Sequence, residues 1–211
     1  MTAQLSLATK SSSHAGIVTL PELVPARDRC LPVDEVFAPL MPDAGLQRGR
    51  VIGCSGVAAW SLALGVISRA VCTGSWVAFV GTPMVGLEAA SELGVALERV
   101  VLVAVDGSSS VWAERVAAAA DGFELIVTCP PVGAERVARR VRQRLQARGV
   151  VLLAVSPSTP SLACDVELSS TAVTWAGIGQ GSGYLMLVRR ERTRSAKESK
   201  ALLLTLPGWH S

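Results

Sequence analysis

The chain has 211 residues and a mass of 22.0 kDa, the size of one domain or of one domain with a short arm. Half of the residues are hydrophobic, 18% are charged and the mean hydropathy is +0.42, which excludes an intrinsically disordered chain. A net charge of +3 is too small to coat nucleic acid by charge alone; it permits phosphate contacts without arguing for them.

Residues 1–32 are Ser/Pro-rich and aperiodic and read as an exposed arm with at most a short docked piece. Residues 33–40 read as one helical turn or two, ended by Pro39 and Pro42. The arm, flexible or loosely docked, is therefore placed at 1–39 and a single domain at 40–211. From Arg50 a repeating pattern begins. Arg50–Gly53 reads as a short strand and Ala58–Ala70 as a helix. Trp76–Val80 is a buried strand and Leu87–Leu93 a short helix ended by Gly94. Val100–Val105 is a strand, and Ser110–Ala120 a helix capped by Ser108 or Ser109. Leu125–Thr128 is a strand, Ala134–Arg148 a helix ended by Gly149, and Val150–Val155 a strand. Continuous apolar strands alternating with helices predict an α/β fold, a mostly parallel twisted sheet covered on both faces. After Pro160 the pattern changes. Val166–Leu168, Tyr184–Arg190 and Leu202–Leu206 read as strands without intervening helices, added antiparallel at one edge.

Five cysteines (Cys30, Cys54, Cys72, Cys129, Cys164) form no C-x-x-C pair, and their odd count and wide spacing suit a reducing compartment. The two histidines, His14 and His210, lie at opposite ends, so a His-based metal centre has little to build on. The first residues lack the apolar run of a secretory signal, and a cytoplasmic location is expected. The uncharged stretch Val51–Ser68 is just long enough to be weighed as a membrane span. Gly53, Ser55 and Gly56 break it early, and Arg48, Arg50 and Arg69 flank both sides, so no span is expected.

In open α/β sheets ligands bind beyond the carboxyl ends of the strands, so the first strand-to-helix turn is the place to look. It reads Gly53-Cys54-Ser55-Gly56-Val57-Ala58-Ala59-Trp60. A phosphate-cradling loop needs G-x-x-x-x-G-K-[ST] here. The frame is right and the chemistry is absent. Ala58 stands for the second glycine, Ala59 for the lysine and Trp60 for the metal-binding hydroxyl. Ala59 supplies no charge to the phosphates, and Trp60 cannot ligand magnesium. No cofactor and no metal are expected.

Around this loop, Leu46–Ile52 and Leu62-Ala63-Leu64 resemble the start of the RecA ATPase core. Trp76–Val80 resembles its second strand, and Leu93–Val100 the segment that follows. RecA carries a catalytic Glu just after the second strand and a magnesium-holding Asp at the end of its Walker B strand. Pro83 and Cys129 occupy those positions here. A shorter family is more similar still: the actinobacterial ImuA-type (ImuA-prime) proteins, RecA-like members of the mutagenic translesion-synthesis complex. Gly74–Ala78, Glu92–Arg99, Asp165–Leu168, Trp175–Gly179 and Gly181–Gly183 carry that resemblance, which covers roughly residues 40–209. It implies a RecA-like fold and a non-enzymatic partner of ImuB, a Y-family-like adaptor, and through it of an error-prone polymerase. It also implies SOS induction. Two further readings stand beside it: a SulA-type SOS cell-division inhibitor, and a RecA-like ATPase or recombinase.

Arg139, Arg140, Arg142, Arg144 and Arg148 surround a narrow apolar stripe of Val137, Val141 and Leu145. They either track phosphates, as a weak DNA contact, or form a solvated outer face. A second basic run, Arg189, Arg190, Arg192 and Arg194, with Lys197 and Lys200, either binds DNA or an acidic partner or is a hairpin tip. The links Cys129–Gly133 and Ser156–Cys164 are short for DNA-binding loops of the RecA kind. Trp60, Trp76, Trp112 and Trp175 are expected to pack in the domain. Trp209, near the C-terminus, is a candidate partner anchor.

Overall fold

The computed structural model describes residues 29–83, 85–158, 162–176, 183–191 and 200–207, with side chains described as far as residue 170. The strands are β1 (Cys30–Pro32), β2 (Gly45–Gln47), β3 (Val51–Gly56), β4 (Val77–Val80), β5 (Val100–Val103), β6 (Leu125–Thr128), β7 (Val151–Ser156), β8 (Val166–Ala176), β9 (Gly183–Glu191) and β10 (Lys200–Pro207). The helices are α1 (Ala59–Cys72), α2 (Leu87–Glu92), α3 (Ser109–Ala119) and α4 (Ala138–Arg148).

Eight strands form one sheet in the order β10-β9-β8-β3-β7-β6-β4-β5, and β1 pairs with β2 in a separate antiparallel ribbon. All pairs from β8 across to β5 are parallel. The period-two alternation of the strands sets the two cores. Ile52, Cys54, Val77, Phe79, Leu125, Val127, Leu153 and Val155 face α1. Ala78, Val80, Ile126, Leu152 and Ala154 face α3 and α4, where Trp112, Val116, Val141 and Leu145 meet them. Trp112 is 1% exposed, and its indole Nε1 donates to Thr128 Oγ1 at 2.7 Å, so the ring is buried with its polar atom satisfied. Burial of each such side chain contributes about 1.5–3 kcal/mol. At the end of α4, Gly149 takes φ +66 and the Val150 amide donates back to Leu145 O, the glycine stop expected there. Ser108 holds the N-cap position of α3 but makes no side-chain cap bond.

Four expectations change. The first concerns the helical turns expected over residues 33–40, at the end of the arm. Leu31 and Phe37 are 3% and 1% exposed and join the core on the α1 face, so this part of the arm is docked. Pro39 does not end a helix: it lies inside the short 3₁₀ turn Ala38–Leu40, and Pro42 opens a second, Pro42–Ala44. Proline suits the first positions of such turns because no N–H is needed there. The second concerns Val166–Leu168, which is the start of an eleven-residue strand that pairs parallel to β3. Among the described strands only β9 runs against the sheet; β10, antiparallel to β9, runs with it again. The third is β3 itself, which continues past Gly53 to Gly56. The fourth is Trp76, which is 43% exposed instead of packed. The uncharged stretch Val51–Ser68 is divided between β3 and α1, and no helix among the described residues is long and apolar enough to cross a membrane.

Candidate functional site

The first strand-to-helix turn is built by β3, α1 and β8 together. Gly53, the expected first glycine of a phosphate loop, is in mid-strand, opposite Ala154 of β7 and Glu167 of β8. Pairing with β7 carries β3 to Ser55, and pairing with β8 carries it on to Gly56, opposite Ser170. Only Val57 and Ala58 then remain before α1 begins. A cradle that wraps phosphate with successive amides needs a longer arc of loop.

Those two amides are engaged within the chain. Val57 N–H donates to Ser170 O at 3.3 Å, and Ala58 N–H donates to Ser170 Oγ at 2.8 Å. The same hydroxyl donates to Ser55 O at 3.2 Å. Gly56 makes the approach of the two strands feasible. It has φ +94, and a Cβ on it would lie 2.1 Å from Ser170 O. Ser170 adjoins a register shift in the β8–β9 pairing, between residues 170 and 172. Ala59 is buried, and Trp60, half-buried, packs against the core on the α1 face. The turn as built ties β8 to α1 and presents no charged side chain.

The two acid positions of the RecA comparison also lack charge. Pro83 is exposed beyond the end of β4, and the acid after it, Glu88, is exposed on α2. Cys129 follows β6 and is half-buried; burial pushes its thiol up to about 11, so it stays protonated at neutral pH. Burial pushes the Cys54 thiol up as well, and the Cys164 thiol up to about 12. No cluster of three or more His, Cys, Asp or Glu able to hold a metal occurs among the described residues.

The structure divides the arginines of α4. Arg139 and Arg140 are exposed. Arg142 Nη1 lies 2.8 and 2.7 Å from the two carboxylate oxygens of Asp165, and its Nη2 donates to Ala163 O. Asp165 also accepts from the Val51 amide at 2.9 Å, with Arg50 at 3.4 Å, so it joins α4 to the start of β3. Arg144 and Arg148 share Asp121 at 2.6 and 2.9 Å. A groove of about 520 Å³ runs between α3 and α4, lined by Ala113, Ala117, Arg140 and Arg144 among others. Arg189 and Arg190 lie in β9, opposite Ser169 and Leu168 of β8 and opposite Ala201 and Lys200 of β10. Arg192, Arg194, Lys197 and Trp209 lie outside the described residues.

The sequence reading missed Ser170, which closes the turn, and Asp165, which organises Arg50 and Arg142. A Ser-Ser-Thr run inside an otherwise apolar strand was the available signal for Ser170; an acid immediately before a strand was the signal for Asp165. It also missed the pairing of Arg99 with Trp76, whose ring centroid lies 5.8 Å from the guanidinium.

Comparison with known proteins places this architecture. The KaiC-like protein PH0186 from the hyperthermophilic archaeon Pyrococcus horikoshii OT3 has the same fold, with a TM-score of 0.51 and 10% identity, over 84% of this chain and 92% of that one. The domain is therefore RecA-like in fold. The uncharacterized protein Rv3395c of Mycobacterium tuberculosis is 32% identical over 141 residues, which are 61% of this chain and 67% of that protein. The family described as the MT3502 N-terminal domain matches residues 39–161, from the turn at Pro39 through β7, and the chain belongs to that family.

Proposed function

We propose that the chain is a non-catalytic RecA-like accessory protein of SOS-induced, error-prone translesion DNA synthesis, and that it binds an ImuB-type Y-family-like adaptor. The observation that carries the non-catalytic half is the closed turn. The amides of Val57 and Ala58 are spent on Ser170, and Ala59, Trp60, Pro83 and Cys129 replace the groups that would handle phosphate and magnesium. The translesion half is supported by the ordered blocks shared with ImuA-type proteins, set on a RecA-like fold. On this reading the fold is kept as a surface for other proteins, and error-prone polymerase activity resides in the partners.

The test offers the purified chain two immobilised baits side by side, the Y-family-like adaptor of the same genome and its tubulin-like division protein. Retention on the adaptor alone is the expected result. Retention on the division protein alone would replace the proposal with the division-inhibitor reading. ATP hydrolysis that copurifies with the chain would replace it with the ATPase reading.

A further inference from the structure

Among the described residues the sheet ends at β5, and its open side is apolar. Val103 O accepts the Gly81 amide at 3.0 Å, so Val101 and Val103 turn their backbone groups toward β4. By the alternation of a parallel ladder, Val100 and Leu102 turn theirs outward, where no described strand lies. Edge strands are commonly protected by a lysine, a proline or a bulge. Val-Val-Leu-Val has none of these, and Leu102 is 57% exposed.

Immediately before this edge stands an ordered aromatic–cation pair. Arg99 Nη1 donates to Gly74 O at 2.9 Å, which holds the guanidinium against the Trp76 ring. Trp76 is 43% exposed and Leu97 39%. Tryptophan and arginine are the residue types that most often anchor protein interfaces, and side chains fixed in advance lose less entropy on binding. Charge decides the occupant. Arg48, Arg50, Arg142, Arg144 and Arg148 each meet a carboxylate; among the described arginines that do not, Arg99 is the one fixed beside this edge. Arg99 makes no ion pair among the described residues, and its exposed neighbour Glu98 does not pair with it.

We infer that the edge of β5, with Trp76 and Arg99 at its start, is the docking surface for an extended acidic segment of a partner protein. The segment adds its backbone to Val100 and Leu102 and sets a carboxylate on Arg99. This rests on the reading of the chain as an interaction module and names where and by what chemistry a partner is held.

The probe is a short synthetic peptide alternating valine with aspartate, titrated into the isotope-labelled full chain and followed by amide and indole NMR shifts. A valine–lysine peptide is the comparison. Expected are shifts confined to Leu97–Val103 and the Trp76 indole N–H, with no response to the lysine peptide. Affinity should fall roughly tenfold or more in Arg99→Glu and in Leu102→Lys, each first shown to be folded by circular dichroism. Shifts elsewhere, no shifts, or equal affinity in both folded variants would overturn the inference. Concentration-dependent shifts at these residues without peptide, with dimer in sedimentation, would assign the edge to a second copy of the chain and overturn it too. Peptide binding here without any adaptor binding leaves the surface standing and removes the translesion reading. Adaptor binding without peptide response does the reverse.

Discussion

The hydroxyl of Ser170 lies 2.8 Å from the backbone nitrogen of Ala58, at the start of the helix whose amino end would face a phosphate in a nucleotide-binding relative. One side chain of β8 thus satisfies the amide of the N-cap residue, Ala58, which itself has no side-chain oxygen to cap the helix. The turn is held shut from the neighbouring strand.

Removal of that lock should cost stability. Ser170→Ala leaves the Ala58 amide without its acceptor, and a loss of about 1 kcal/mol is expected. Gly56→Ala should cost more than about 2 kcal/mol, because the new Cβ meets Ser170 O at 2.1 Å and the backbone holds φ +94. Urea unfolding followed by Trp fluorescence measures both. Equal stability of Gly56→Ala and the parent would show that the strands do not approach as described.

The α4 arginines should separate by partner. Asp165→Ala removes the acceptor of Arg142, Arg50 and the Val51 amide, and a loss of about 1–3 kcal/mol is expected. Arg139→Ala, an exposed position, should stay within about 0.5 kcal/mol. The same urea experiment ranks them; a reversed order would contradict the placement of α4.

Acid should weaken the fold through Glu124 and Asp121. Burial alone pushes the Glu124 carboxyl up, but hydrogen bonds from Arg48 and Ser75 outweigh it and hold it below the usual carboxylate value. The hydrogen bond from Arg144 does the same for Asp121, against the opposing effect of desolvation, with the charges of Arg144 and Arg148 adding to it. A carboxyl with a depressed folded pKa contributes fully above its unfolded value, and the contribution is lost as pH falls through the folded one. The urea midpoint should therefore drop as the pH is lowered below about 4.5. Glu124→Gln should flatten part of that slope, and an unchanged slope would count against the Arg48–Glu124 pair.

Much of the sheet was legible because its inner strands are short apolar runs between turn residues. Leu125–Thr128 agrees to the residue, Val77–Val80 to within one at its start, and Val151–Ser156 to within one at each end. Legibility failed where pairing overrides local chemistry. Gly53-Cys54-Ser55-Gly56 has the composition of a loop, yet β7 and β8 flank it and extend it into strand. Residues 169–171 are polar and gave no apolar signal, but the ladder of β3 and β9 carries β8 through them. The positions of the eroded loop were readable from Ala58, Ala59 and Trp60. That the turn is closed by a strand more than a hundred residues away was not, because no local pattern encodes Ser170 against Ala58.

The most direct test of the central claim is calorimetric titration of ATP with magnesium into the parent chain and into Ala59→Lys combined with Trp60→Thr, which restores the missing lysine and hydroxyl. The account predicts no binding heat for either protein, since the turn's amides remain engaged by Ser170. Micromolar binding by the parent chain, or binding gained by the double variant with Ser170 in place, would contradict it.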